Sequence, residues 1–385
     1  MSTDAFAHTS GPHDARCVMI GEAWGESEDQ HGVPFAGASG REFARMLIES
    51  GWDIDDLLAR AVEQLSTRDF LAAREEWLER ASVLLTNVFA LRPTNNNLAY
   101  LCAARSDLPA SYNLPPIRNE NPRYVKEDYL PELSRLRAEV EQSQRNLIIA
   151  LGGSACWAMV SSHAIGRLRG AVSTARASAP AQLSNTKIIP TYHPAAIFRA
   201  WQWRVIVLAD LIKAKREMAF AEVRRPARSI HVNPSIDMVE AWTHLTLNGP
   251  YAFLAPDIET MNGQIRCIGF ARSRSEAMVV PFIRDLQGIS YWEDEDHELR
   301  AWECVRALLD SPIPKIFQNG VFDLQYLMRA GLSVRCATHD TMLLHHALYP
   351  ELQKGLGFLG SVYTNEPAWK TMRLHKGEEE LKRDE

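Results

Sequence analysis

Residues 21–40 read GEAWGESEDQHGVPFAGASG, and the first half of the chain is organised around them. The apolar run Cys17-Val18-Met19-Ile20 precedes the stretch and reads as a buried strand. Behind it, Phe43, Met46 and Leu47 recur at helical spacing. A strand therefore empties into a long, glycine-rich, acidic loop that ends where a helix begins. In an open α/β sheet that position, at the carboxyl ends of the strands, is where ligands bind. The plainer alternative is a surface connection that needs glycine only for its turns.

Working outward, residues 50–82 are charged, with Leu57, Leu58, Ala61, Val62 and Leu65 at helical spacing. Residues 83–88 read as a second strand, and the Asn-, Pro- and Ser-rich residues 94–125 as a long loop. A helix over 129–144 leads to a third strand with a glycine exit at 146–153. The fourth strand, 187–189, ends in Pro190-Thr191-Tyr192-His193-Pro194, and a single long helix is expected over 195–220. Strands alternating with helices argue a parallel sheet covered on both faces.

Composition narrows the function classes. A formal charge of −6 gives no global pull toward nucleic acid or membrane, so any DNA contact rests on local patches such as Arg167, Arg169, Arg199 and Arg204. The six cysteines form no CxxC pair and no metal-ligand spacing, which suits buried thiols in a reducing compartment. With no apolar leader in residues 1–16 and no run of membrane-spanning length, a cytoplasmic protein is expected.

Four short motifs, GEAWG…GVPFAG (21–37), TNV (86–88), LRG (168–170) and TYHP (191–194), resemble in order the uracil-DNA glycosylase superfamily. The pattern is most similar to the thermophile-type family, and the match covers most of residues 17–211. The resemblance implies DNA as partner and hydrolysis of the N-glycosidic bond of uracil. It implies that Phe35 stacks on the extruded base, that the Asn87 amide reads its edge, and that His193 donates to O2. Gly21 and Ala23 would offer backbone groups beside the sugar, and Glu22 would hold the attacking water, with Glu26 and Asp29 as rivals. Ile197 or Phe198 would wedge the duplex. Two departures stand out. Trp24 replaces the family's proline, and Leu91 stands where the iron–sulfur branch has a cysteine. With Cys102 left without partners, no iron–sulfur cluster and no other cofactor is expected here.

Beyond Arg224-Arg225-Pro226 the texture changes. Asp257 and Glu259 lie two apart on a strand, so both carboxylates share one face, as a divalent-metal site requires. Asn319 and Asp323 follow at a helix start, and Asp340 precedes another helix. This half resembles the DEDD 3′–5′ exonucleases, especially the proofreading domains of family A polymerases. Residues 337–363 look closest to phage-type enzymes. The resemblance implies Mg²⁺ or Mn²⁺ on Asp257, Glu259 and Asp323, single-stranded 3′ ends as substrate, and a polymerase module or replication proteins as partners. Pro256 is out of place in a central strand, and the family's last motif does not follow Tyr363.

The fold expected is α/β throughout. A three-layer α/β/α glycosylase-like domain with a parallel sheet spans 1–222, and a linker 223–236. A ribonuclease H-like α/β domain spans 237–385 and is incomplete at its C-terminus, as in the front part of a longer polymerase. Two readings compete with a two-activity enzyme: a non-catalytic DNA clamp, and an exonuclease carrying an inert glycosylase-like domain.

Overall fold

A computed structural model describes residues 7–52, 56–64, 66–118 and 121–366. Leu65 and the final stretch, where the incomplete domain end was expected, lie outside the described residues. The chain divides into two compact units, Met1–Arg224 together with Gly357–Glu385, and Arg225–Leu356.

The first unit runs β1 (Cys17–Ala23), α1 (Glu26–His31), α2 (Ala38–Glu49), α3 (Leu57–Gln64), α4 (Thr67–Ala81), β2 (Val83–Phe89), β3 (Cys102–Ala103) and β4 (Tyr124–Val125). It continues through α5 (Leu130–Gln142), β5 (Leu147–Leu151), α6 (Gly153–Val160), α7 (Ile165–Leu168), β6 (Ser173–Thr174), β7 (Lys187–Thr191), α8 (Pro194–Ile197) and α9 (Arg204–Glu217). Its sheet has the order β2-β1-β5-β7-β6, with only β6 antiparallel. Every residue of β2, β5 and β7 is buried, and β5 accordingly reads as an unbroken apolar run. Val18, Ile20, Leu84, Ile148 and Ile188 share a core with Leu136 and Val140 of α5 and Trp157 of α6.

Three local expectations change. The loop at 21–40 contains the short helix α1. Residues 94–125 carry 3₁₀ turns and the β3–β4 pair, with Leu98, Leu101, Ile117 and Val125 buried in the core. The single helix expected over 195–220 is broken into α8, a 3₁₀ turn at Trp201–Trp203, and α9.

The second unit contains β8 (Ser229–His231), α10 (Ile236–Asn248), β9 (Ala255–Met261), β10 (Gln264–Ala271), β11 (Glu276–Pro281), α11 (Glu295–Asp310), β12 (Lys315–Phe317), α12 (Gly320–Arg329), β13 (Ala337–Asp340) and α13 (Thr341–Leu348). Its four-stranded sheet has the order β8-β11-β10-β9, and β12 pairs with β13 in parallel. On its outer side β9 meets β12 through a bridge at Leu254, whose N–H donates to Pro314 and whose carbonyl accepts from Ile316. Pro256 therefore sits on an outer strand of that four-stranded sheet, where a missing N–H is tolerated.

The helix α14 (Leu356–Tyr363), expected with the second domain, packs with the first unit. Lys213 donates to the carbonyls of Gly170 (2.7 Å), Ser361 and Thr364 (2.6 Å). Burial pushes its ammonium down to about 8, with Asp210 pulling the other way, so at neutral pH it still carries three hydrogens for three acceptors. Arg169 donates to Ser361 Oγ at 2.8 Å and pairs with Asp210, which also accepts from Thr191 at 2.7 Å. Arg169 is fully buried, which removes it from the candidate DNA-contacting arginines.

A chain ended after Leu356 should lose on the order of 3 kcal/mol of first-unit stability. Three bonds to buried cations disappear, each worth about 1.5–3 kcal/mol before water refills the gap. Urea unfolding measures this, and an unchanged midpoint would show that the returning segment is dispensable.

Candidate functional site

The carboxyl ends of β1, β2 and β7 open onto a cavity of about 230 Å³, lined by Glu22, Ala23, Trp24, Glu28, Phe35, Asn87, His193 and Arg199 among others. Five of the residues singled out from sequence, Glu22, Ala23, Phe35, Asn87 and His193, thus meet in one place. Gly21 lies directly behind them, opposite Asn87 in the β1–β2 register. A Cβ on Gly21 would fall 2.1 Å from the Asn87 side-chain oxygen and 2.8 Å from the Phe35 ring, so only glycine lets both side chains sit there.

Phe35 is held at φ 55°, a left-handed conformation that a bulky residue adopts only under constraint. Arg74 of α4, itself buried, supplies the constraint by donating to the carbonyls of Pro34 (2.9 Å) and Phe35 (2.7 Å) and to Ser10 Oγ (2.8 Å). Burial brings its guanidinium down to about 10, against Glu75 and Glu28, which favour the charge. Gly40 completes the fit, since a Cβ there would lie 1.9 Å from the Phe35 carbonyl oxygen. The Phe35 ring stacks at 5.9 Å and 21° on His193.

Asn87 is buried at the end of β2, and among the described residues no hydrogen bond engages its amide. Its backbone carbonyl accepts from Arg135 at 2.8 Å, and Arg135 is fixed in turn by Glu132 and Glu139. His193 is the N-cap of α8, and its Nδ1 accepts from the Ala195 N–H at 3.2 Å. That contact leaves the hydrogen of the neutral ring on Nε2. Burial lowers the pKa of His193, while Glu22 and Glu28 raise it and Arg199 lowers it further, so the balance favours the neutral form.

The acids divide by environment. Glu22 accepts a short hydrogen bond from Ser154 Oγ. Glu28 bridges the loop, accepting from Gly25 N–H (3.0 Å) and Gly37 N–H (3.1 Å). Of the two rivals of Glu22, Glu26 is exposed and lies 3.9 Å from Arg92, and Asp29 is exposed. Sequence reading passed over Glu28, Ser154 and Arg74. A signal existed only for Glu28, an acid placed between two glycine turns.

The wedge expectation needs correction. Ile197, the last residue of α8, is wholly buried, whereas Phe198 is 58% exposed. Arg204 is engaged by Glu42 and Glu49, which leaves Arg167 and Arg199 as the exposed arginines of the original four.

Cys17, Cys102 and Cys156 are buried thiols whose pKa values burial raises, Cys156 to about 12, and the Cys102 thiol donates to Leu98 O. Among the described residues no three His, Cys, Asp or Glu side chains form a metal-holding group. No described helix is long and apolar enough to cross a membrane.

In the second unit, Asp257 and Glu259 both lie on the exposed face of β9. Asp257 is pushed up to about 6 by burial of its carboxyl, then by Asp323 and Glu259. Asp323 is buried and accepts from Ile258 N–H at 3.0 Å. Asn319 is the left-handed N-cap of α12. Asp340 accepts from the N–H groups of Asn319, Gly320, Met342 and Leu343, so it is committed to two helix starts. A cavity of about 460 Å³ in this unit, beside Phe282, Trp302, Tyr326 and Arg329, is lined by none of Asp257, Glu259 and Asp323.

Replacing Gly21 by Ala should destabilise the first unit by about 1–3 kcal/mol through overpacking against Asn87 and Phe35. Denaturant unfolding checks this, and an unaltered midpoint would contradict the close approach.

A "Type-4 uracil-DNA glycosylase" from Thermotoga maritima is 27% identical over 207 residues, covering 53% of this chain and 79% of the relative. The Uracil DNA glycosylase superfamily profile matches residues 8–221, more than half of the chain and every strand of the five-stranded sheet. The chain belongs to the uracil-DNA glycosylase superfamily.

Proposed function

We propose that the first unit hydrolyses the N-glycosidic bond of uracil in DNA. The observation that carries this reading is the cavity that gathers an aromatic ring, an unengaged amide, a neutral imidazole and a carboxylate. A base must leave the stack to be read in such a pocket. Phe35 offers it a stacking face. The Asn87 amide, one donor and one acceptor, matches O4 and N3–H of uracil and mismatches the amino group and bare N3 of cytosine.

As the C1′–N1 bond breaks, its electron pair leaves with the base, and negative charge collects on O2. His193 donates from Nε2 to that oxygen. The neutral ring suits the role, because protonation would set a second N–H against that of Ala195. Glu22 holds the water that adds to C1′. Gly21 and Ala23 carry the backbone beside the sugar, and Phe198, exposed where Ile197 is buried, enters the duplex.

His193→Ala should lower single-turnover uracil release by about 10²–10³-fold, as for loss of one oxyanion donor. An undiminished rate would sink the assignment. Asn87→Asp should lose the preference for uracil over cytosine, assayed on paired oligonucleotides. Retained selectivity would remove the amide from the pocket.

The pH profile offers a separate check. Because burial lowers the pKa of His193 from 6.5, the neutral ring persists as pH falls past that value. The limb of the rate profile abolished in His193→Ala should therefore lie below 6.5. A rate that instead rises as pH falls through that limb would mean that the charged ring is the donor.

For the second unit, 3′-end hydrolysis on a divalent cation would rest on Asp257 and Glu259 sharing one face of β9 and on their Coulombic coupling to Asp323, although these side chains do not meet as a metal-holding group among the described residues. Mg²⁺-dependent release of 3′ nucleotides from single-stranded DNA, lost in Asp257→Ala, tests that reading. The absence of such release would leave the acids as a solvated strand face.

A further inference from the structure

The exit from β5 brings a hydroxyl against Glu22. Gly152 takes φ 88°, and a Cβ on it would come within 3.0 Å of the His193 Cβ. The turn thus passes tightly beneath the histidine and starts α6 with Gly153 and Ser154. Ser154 is buried, and its Oγ donates its one hydrogen to Glu22 Oε2 across 132 residues of sequence.

A glutamate at a strand end has three side-chain torsions, and an unrestrained carboxylate samples several orientations toward a cavity. Tying one oxygen removes most of that freedom. It also leaves the other oxygen, in a side chain that lines the cavity, with no partner among the described residues. Being acceptor-only when ionised, that oxygen can take a hydrogen from a water molecule and fix where its lone pairs point.

We propose that Ser154 is the positioning residue for Glu22, fixing one carboxylate oxygen so that the other aims the attacking water at the sugar carbon. The proposal rests on the glycosylase reading of this cavity. It gives the turn after β5 a part in the reaction, although Ser154 touches neither base nor sugar.

The test is single-turnover release of uracil from an oligonucleotide by the full chain. Ser154→Ala should slow the chemical step about 10- to 100-fold, as for misplacement of a reacting group, while KM stays unchanged. Ser154→Thr, which keeps the hydroxyl, should recover most of the rate. In a Glu22→Gln background Ser154→Ala should cost nothing further, because the two act as one unit. Thermal melting of each variant separates loss of fold from loss of aim. An active wild type whose folded Ser154→Ala variant keeps full rate overturns the inference alone, as does an undiminished cost in the Glu22→Gln background. A wild type that releases no uracil overturns the glycosylase reading and this inference together.

Discussion

The cavity depends on one buried cation. Arg74 is removed from water and still charged, and its two terminal nitrogens donate to the carbonyls of Pro34 and Phe35 and to Ser10, while its Nε–H has no partner among the described residues. Those bonds hold a phenylalanine in a backbone region that its side chain disfavours, at a cost of order 1–3 kcal/mol recovered elsewhere in the fold. With Phe35 so fixed, its ring stacks on His193 and closes over Gly21. Asn87 then has one place to go. A local strain is thereby converted into a rigid aromatic wall, and rigidity is what a site needs if it is to discriminate between pyrimidines.

The two buried-side acids show how environment divides labour between like residues. Both oxygens of Glu28 are engaged by backbone N–H groups, one of them on Gly37, the N-cap of α2, where a negative charge also favours the helix dipole. Glu28 is therefore a clamp on the loop. Glu22, six residues earlier, has one oxygen engaged by a neutral hydroxyl and a side chain turned to the cavity. Composition alone cannot separate these roles, since the loop holds Glu22, Glu26, Glu28 and Asp29 within eight residues.

What the sequence made legible was local. The three strand-end motifs carry their own turn chemistry, and Glu22, Phe35, Asn87 and His193 converge because the parallel strands β1, β2 and β7 all end on one edge. What it hid was long-range. Arg74 lies 39 residues from Phe35, and Ser361 lies 192 from Arg169, distances over which no periodicity runs. That the two wedge candidates, Ile197 and Phe198, could not be told apart has a different origin. A helix of four residues is too short for its buried face to be read from spacing, and the expected long helix concealed the break at Trp201–Trp203. Pro256 misled because a strand's place in its sheet is a tertiary fact.

The return of the chain to its first unit has a consequence for synthesis. Residues are made in order, and domains generally fold as units as they emerge. Here the acceptors of Lys213 and Arg169 lie at Ser361 and Thr364, on the far side of all of residues 225–356. The parallel sheet can assemble once β7 and α9 have appeared, but it must wait with two cations half-satisfied until a whole second unit has been translated. Birth order thus has the glycosylase-like unit begin before the second unit and finish after it.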